Sequence, residues 1–254
     1  MDIFAIGDIH GQYDMLEVLL KDWNQETEKL IVLGDLIDRG PDSQKVVSLV
    51  KSLVQDKKAI AIKGNHECMY LDWVAHPESL VTYYLPSGGV QTLESYLGKN
   101  NVSYLMGSAM ANRMKSEFQD VERFFKSMAL YEEVGDLVFV HAGVDLSEED
   151  WEDTNPNDFQ WIREPFFYLP NETGKTFIFG HTPTQTLNEN KSPDIWLSKD
   201  KTRIAIDGGA TYGGFLHGLH ITDDAFRNVF VDKTLTLKEG KNWKEILNTY
   251  FPLM

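Results

Sequence analysis

Short apolar runs alternate with helical stripes along the first part of the chain. Ile3–Ile6 is apolar, ends at Gly7, and reads as a buried strand. Gln12–Trp23 follows, with Met15, Leu16, Leu19, Leu20 and Trp23 on one helical face. The plan repeats as a strand at Lys29–Leu33, a polar loop, and a helix over Ser43–Val54 with Val46, Val47, Val50, Leu53 and Val54 as its stripe. A third unit has a strand at Ala59–Ile62, a loop at Lys63-Gly64-Asn65 and a helix from about His66. Three β–loop–α units in a row predict an α/β fold with parallel strands.

The alternation then stops. Residues 68–130 read as a mostly helical insertion punctuated by Gly88-Gly89, and we expect it to cap the sheet edges. Met110, Met114, Phe118, Val121, Phe125 and Met128 form a long stripe near helical spacing, as packing requires. After Tyr131 the chain becomes strand-rich: Leu137–Val140, Thr176–Phe179, Arg203–Ile206, Gly218–Thr222 and Asn228–Val231. Glu148–Pro156 and Thr184–Lys201 read as polar loops, and Asn242–Tyr250 as a short helix. No repeat interrupts this plan, so one domain over 1–254 is expected.

The first strands end in glycine-bounded polar loops. These are Gly7-Asp8-Ile9-His10-Gly11, Gly34-Asp35-Leu36-Ile37-Asp38-Arg39-Gly40 and Gly64-Asn65-His66-Glu67. Later strands end in His141-Ala142-Gly143 and Gly180-His181-Thr182. An Asp beside a Gly is by itself a turn residue. Ligands in open α/β sheets bind outside the carboxyl ends of strands, and five such loops would converge on one rim. Their Asp, His and Asn side chains are oxygen and nitrogen ligands for hard-to-borderline metals. A metal site is the expectation.

Composition narrows the classes. The chain has 254 residues, 42% hydrophobic and 25% charged, as in an ordinary globular protein. A net charge of −15 argues against nucleic acid and against anionic membrane surfaces as partners. A local positive site can still take an anion. Cys68 is the one cysteine, so no intrachain disulfide can form. It reads as a small buried residue, not a nucleophile. No apolar stretch resembles a leader or a membrane span. A cytoplasmic monomer is expected.

The ordered set of five loops resembles the phosphoprotein phosphatase family of calcineurin-like metallophosphoesterases, most nearly the compact bacterial and phage protein phosphatases. The resemblance spans residues 7 to about 216. Trp161-Ile162-Arg163-Glu164 and Ile206-Asp207-Gly208-Gly209-Ala210 are weaker matches in the same order. It implies an α/β/β/α sandwich. It implies two divalent metals, with Mn²⁺ favoured and Fe²⁺ or Zn²⁺ as alternatives. Asp8 and His10 would bind the first metal, Asp35 both, and Asn65, His141 and His181 the second. Arg39 and Arg163 would clamp phosphate, and His66 would be the general acid oriented by Asp38. Glu67 carries no catalytic assignment; a bond to nearby backbone suits it.

Two divalent cations and two carboxylates leave about +2 in such a site, which attracts a phosphate dianion. The implied reaction is phosphomonoester hydrolysis by a hydroxide held between the metals, without a phosphoenzyme. The implied substrate is phosphoserine or phosphothreonine on a protein, with phosphotyrosine and small phosphoesters as further candidates. A symmetrical dinucleoside tetraphosphate hydrolase is the rival enzyme. Asp38 and Glu67 resemble the protein-phosphatase branch more than that rival. A non-catalytic metal-binding module is the rival of another class, weakened because all six ligand positions, both arginines and His66 are present.

Overall fold

The computed structural model describes residues 2–102, 107–223 and 225–243. Two sheets face each other. The first has the order β11-β10-β9-β1-β2-β3, built from β1 (Asp2–Ile6), β2 (Glu28–Val32), β3 (Ala59–Ala61), β9 (Leu216–Ile221), β10 (Phe226–Val231) and β11 (Leu237–Trp243). The second has the order β4-β5-β6-β8-β7, built from β4 (Tyr131–Val134), β5 (Leu137–Val140), β6 (Thr176–Phe179), β7 (Trp196–Leu197) and β8 (Arg203–Ala205). β1, β2 and β3 run parallel to one another, as do β5, β6 and β8.

Alternation along each strand builds three apolar layers. Ile3, Ala5, Ile31 and Leu33 face Phe139, Ile178 and Ile204 between the sheets. Phe4, Ile6, Leu30 and Val32 point the other way, onto α1 (Tyr13–Leu19), α2 (Ser43–Gln55) and α3 (Asn65–Ala75). Val138, Val140, Phe177 and Phe179 pack outward on Trp151, Phe159 and Phe166, from α8 (Asp158–Trp161), α9 (Glu164–Tyr168) and the turn before them. The result is the α/β/β/α sandwich.

Between Pro77 and Ser127 the described residues include α4 (Pro77–Tyr84), α5 (Val90–Leu97), α6 (Gly107–Glu117) and α7 (Gln119–Ser127). These helices pack on α2 and α3, outside the first sheet. Ala129 reaches a sheet edge, bridging to Ile62 beyond β3. The Met110–Met128 stripe belongs to two helices, because Phe118 leaves helical geometry at φ −134 and ψ 43.

Several expected bounds change. The first helix stops at Leu19, with Leu20 as its cap, so Trp23 packs from the loop beyond it. Thr184–Lys201, read as loop, contains α10 (Thr184–Leu187) and β7. The expected helix Asn242–Tyr250 begins on the last two residues of β11, and its remainder lies outside the described residues. No helix among the described residues is long and apolar enough to cross a membrane.

Candidate metal centre

Six parallel strand ends deliver the site. Asp8 follows β1, Asp35 follows β2 and Asn65 follows β3; His141 follows β5, His181 follows β6 and Asp207 follows β8. The loops pay a conformational cost. His10, Asp35, Asp38, Arg39 and His181 all have positive φ, from 45 to 72. They are five of the nine such non-glycine residues among those described. Left-handed backbone costs a side-chain-bearing residue roughly 1–2 kcal/mol. Its concentration at one rim is the mark of a site held by its surroundings.

The residues expected at the second metal form a tight knot. Asn65 Oδ1 lies 3.0 Å from His141 Nε2 and 2.9 Å from His181 Nδ1. His141 Nε2 is 3.4 Å from Asp35 Oδ1. Ligand atoms about 2.1 Å from one ion stand roughly 3.0–3.4 Å apart, between octahedral and tetrahedral geometry. The observed separations fit a common cation. The His141 Nδ1–H donates to the Leu33 carbonyl at 2.6 Å, which turns the Nε2 lone pair inward.

The residues expected at the first metal are more loosely placed, and Asp8 is in neither of the tight His/Asp groups. His10 donates from Nδ1 to the Ile37 carbonyl at 2.8 Å, and its Nε2 stands 3.5 Å from Asp35 Oδ2. Arg39 Nη1 is 2.5 Å from that same Nε2. A cation on His10 therefore requires Arg39 to turn outward. Asp8 accepts the His181 backbone N–H with both oxygens, at 3.0 and 3.1 Å. Glycine at 180 makes room for this: a Cβ there would lie 2.1 Å from Asp8 Oδ1. Asp35 thus touches both groups, His10–Asp35–His66 and Asp35–His141–His181, in each of which the ligand atoms lie within 4.8 Å of one another.

Electrostatics also call for cations. Burial pushes the Asp8 carboxyl well up, and Asp207 and Asp35 add to the push. Asp207 is likewise raised by burial, to about 6. Burial opposes the charge on Asp35, yet His141, His66 and His10 hold its carboxyl far below the usual range. Burial lowers His10, His141 and His181, so all three favour the neutral form that binds metal. Divalent cations would relieve the crowding of buried carboxylates.

His66 stands beside this centre. Its Nε2 is 4.0 Å from Asp35 Oδ2, and its Nδ1 lies 2.7 Å from Asp38 Oδ2. Burial pulls its pKa down, but Asp35 and the Asp38 bond outweigh that and raise it. Glu67 is wholly buried and accepts three backbone N–H groups, from Asp35, Leu36 and Gly64, at 2.8–2.9 Å. It splints the loop after β2 to the start of α3. Burial raises its carboxyl to about 7. Cys68 is half-buried and donates to Gln160 at 2.8 Å, and burial pushes its thiol up to about 12, away from the thiolate form.

Asp35, Arg39, Asn65, His66, Arg163 and His181 line a cavity of about 140 Å³, together with Tyr83, Ser87 and Trp161. Arg163 Nη1 donates to Thr182 Oγ1 at 2.8 Å. Tyr212 lies under the Arg39 guanidinium, 5.4 Å from its ring centre, and is 65% exposed. Asp207 had no expected role, although its motif was visible. Tyr84 and Thr92, both bonded to Asp38, are 46 and 54 residues from it, and nothing in the sequence spacing signals them.

The sequence pattern of the Calcineurin-like phosphoesterase family matches residues 1–212, and the chain belongs to that family. Among individual relatives, it is 38% identical over 89 residues to serine/threonine-protein phosphatase 1 of Salmonella typhimurium, a match covering 34% of this chain and 38% of that one. It is 26% identical over 245 residues to an asymmetrical bis(5'-nucleosyl)-tetraphosphatase of Anoxybacillus flavithermus, covering 84% of this chain and 88% of that one. In fold it is similar to a cold-active protein-tyrosine phosphatase of a psychrophilic Shewanella species, with a TM-score of 0.63 and 16% identity over 94% of this chain and 80% of that one.

Proposed function

We propose that this protein hydrolyses phosphomonoesters, with phosphoserine and phosphothreonine side chains of proteins as its substrate class. The carrying observation is the buried His66–Asp38 pair beside Asp35. A serine or threonine alkoxide is a strong base and needs a proton as it leaves. A nucleotide leaving through a phosphate oxygen is a weak base and needs none. A proton donor is therefore a feature of an alkyl phosphomonoesterase more than of a dinucleoside polyphosphate hydrolase. The cavity supports the same reading. At about 140 Å³ it is smaller than the ~300–1,000 Å³ of pockets that enclose a drug-sized ligand. It suits a phosphoryl group whose parent chain lies outside.

Asp8, His10, Asp35, Asn65, His141 and His181 would hold two divalent cations, with Asp35 common to both. When bound, these supply Lewis acidity and lower the pKa of water. Their donors are oxygen and imidazole with no thiolate, which suits Mn²⁺, Fe²⁺ or Zn²⁺ alike; the family resemblance makes Mn²⁺ the ion to test first. Arg39 and Arg163 line the cavity from different loops and offer forked donors to phosphoryl oxygens. Asp38 holds the Nδ1–H of His66, leaving Nε2 to give its proton to the leaving oxygen.

The second reading is dinucleoside polyphosphate hydrolysis, favoured by the relative matched over 88% of its length. The test compares kcat/KM of the Mn²⁺-loaded protein for a phosphoserine peptide and for diadenosine tetraphosphate. A preference for the peptide is expected. Preference for the dinucleotide overturns it, and the products then tell symmetrical cleavage (ADP) from asymmetrical cleavage (ATP and AMP).

A further inference from the structure

The segment from Tyr83 to Thr92 faces two ways. Tyr83 and Ser87 line the cavity. Their sequence neighbours turn inward, onto the loop after β2. Tyr84 is fully buried, stacked on Trp73 at 5.1 Å and edge-on to Tyr70 at 6.1 Å. That packing aims its hydroxyl at Asp38 Oδ1, 2.9 Å away. Gly88 accepts the Arg39 backbone N–H at 3.1 Å. Thr92 donates to Asp38 Oδ1 at 2.6 Å and accepts the Asp38 backbone N–H at 2.8 Å.

Both hydroxyls go to one oxygen of Asp38. The other oxygen, Oδ2, is left for His66 Nδ1. A carboxylate held by one bond alone could rotate about Cβ–Cγ and release the imidazole. Two hydroxyls on Oδ1 remove that freedom. We propose that Tyr84 and Thr92 are positioning residues for the proton donor. The helical insertion fixes the Asp38 carboxylate, and through it the His66 ring, in addition to bordering the substrate cavity. This inference rests on the reading of His66 as proton donor given above.

The test uses Tyr84→Phe, Thr92→Val, their combination and Thr92→Ser in the Mn²⁺-loaded full chain. On a phosphoserine peptide, kcat should fall about 10-fold in each single variant and about 10²-fold in the double, with KM unchanged. On p-nitrophenyl phosphate, whose leaving group needs little protonation, kcat should stay within about 2-fold. Thr92→Ser should restore activity. In metal-free protein the downfield Nδ1 proton resonance of His66 should be sharp in the wild type and lost in the double variant. Equal losses on both substrates would assign the two residues to folding and overturn the proposal. So would an unchanged peptide kcat with an unchanged His66 resonance. His66→Asn separates the underlying reading. If it leaves the substrate ratio unchanged, the proton donor itself is rejected. If it changes the ratio and the Tyr84 and Thr92 variants do not, only the positioning role falls.

Discussion

Replacing His66 with asparagine should slow the enzyme by an amount set by the leaving group. The change removes the proton carried by an imidazole whose Nδ1 is 2.7 Å from the fully buried Asp38. A charge-assisted bond of that length holds the ring in one orientation. A well-placed general acid is worth ~10²–10⁴ in rate, which is ~2.7–5.5 kcal/mol of barrier. The full amount should be lost on a phosphoserine peptide. p-Nitrophenolate is stable as an anion, so the loss on its phosphate should stay below about 10-fold. The assay is kcat for both substrates, with metal content measured on the same samples. Equal loss on both substrates at full metal content would refute the proton-donor role. A parallel loss of metal would instead make His66 a ligand, as its place 4.0 Å from Asp35 Oδ2 allows.

Other perturbations test the loops that hold the site and the stability of the fold. Gly88 has φ 116, and a Cβ there would lie 2.7 Å from Arg39 N and Cγ. Gly88→Ala should therefore weaken inhibition by inorganic phosphate and cost roughly 1–3 kcal/mol of stability; unchanged inhibition would separate Arg39 from phosphate binding. Glu67→Gln puts an amide where a carboxylate accepts three backbone N–H groups. A loss of about 1–3 kcal/mol in denaturant melts is expected, with weaker metal binding because Asp35 loses its backbone anchor. His217 is buried between Asn228 and the Pro193 carbonyl, and burial lowers its pKa below 6.5. The unfolded chain takes up that proton first, so its contribution to stability is present above pH 6.5 and falls as pH drops, by up to ~1.4 kcal/mol per unit. His217→Asn should remove that part of the acid slope in melts at pH 5–7; an unchanged slope would contradict it.

The parallel strands were legible because each is a short apolar run closed by a glycine-flanked polar residue. Both faces of those strands are buried, so apolar residues run unbroken, as Ile3–Ile6 does. The outer strands were not. β4 and β11 are half-exposed, and Lys238, Glu239 and Lys241 sit in β11 without any apolar alternation. Their place is set by hydrogen bonding to β5 and β10, which a sequence pattern does not record. Strand-end residues such as Asp8, Asp35 and His141 could be read from their position after a strand. Arg39 could be read as a loop residue, but its contact with His10 Nε2 could not, because it depends on two positive-φ turns meeting. The hold of Tyr84 and Thr92 on Asp38 is equally invisible, since it is made by tertiary packing of the insertion.

The central claim is that Asp35 joins two cation sites. The most direct measurement is titration of chelator-stripped protein with Mn²⁺, following bound ion by calorimetry and by electron paramagnetic resonance. Two ions per chain are expected, with the spectrum of a spin-coupled pair, and Asp35→Asn should abolish the coupling and weaken both. A single ion at saturation, or two uncoupled ions unaffected by Asp35→Asn, would contradict the account.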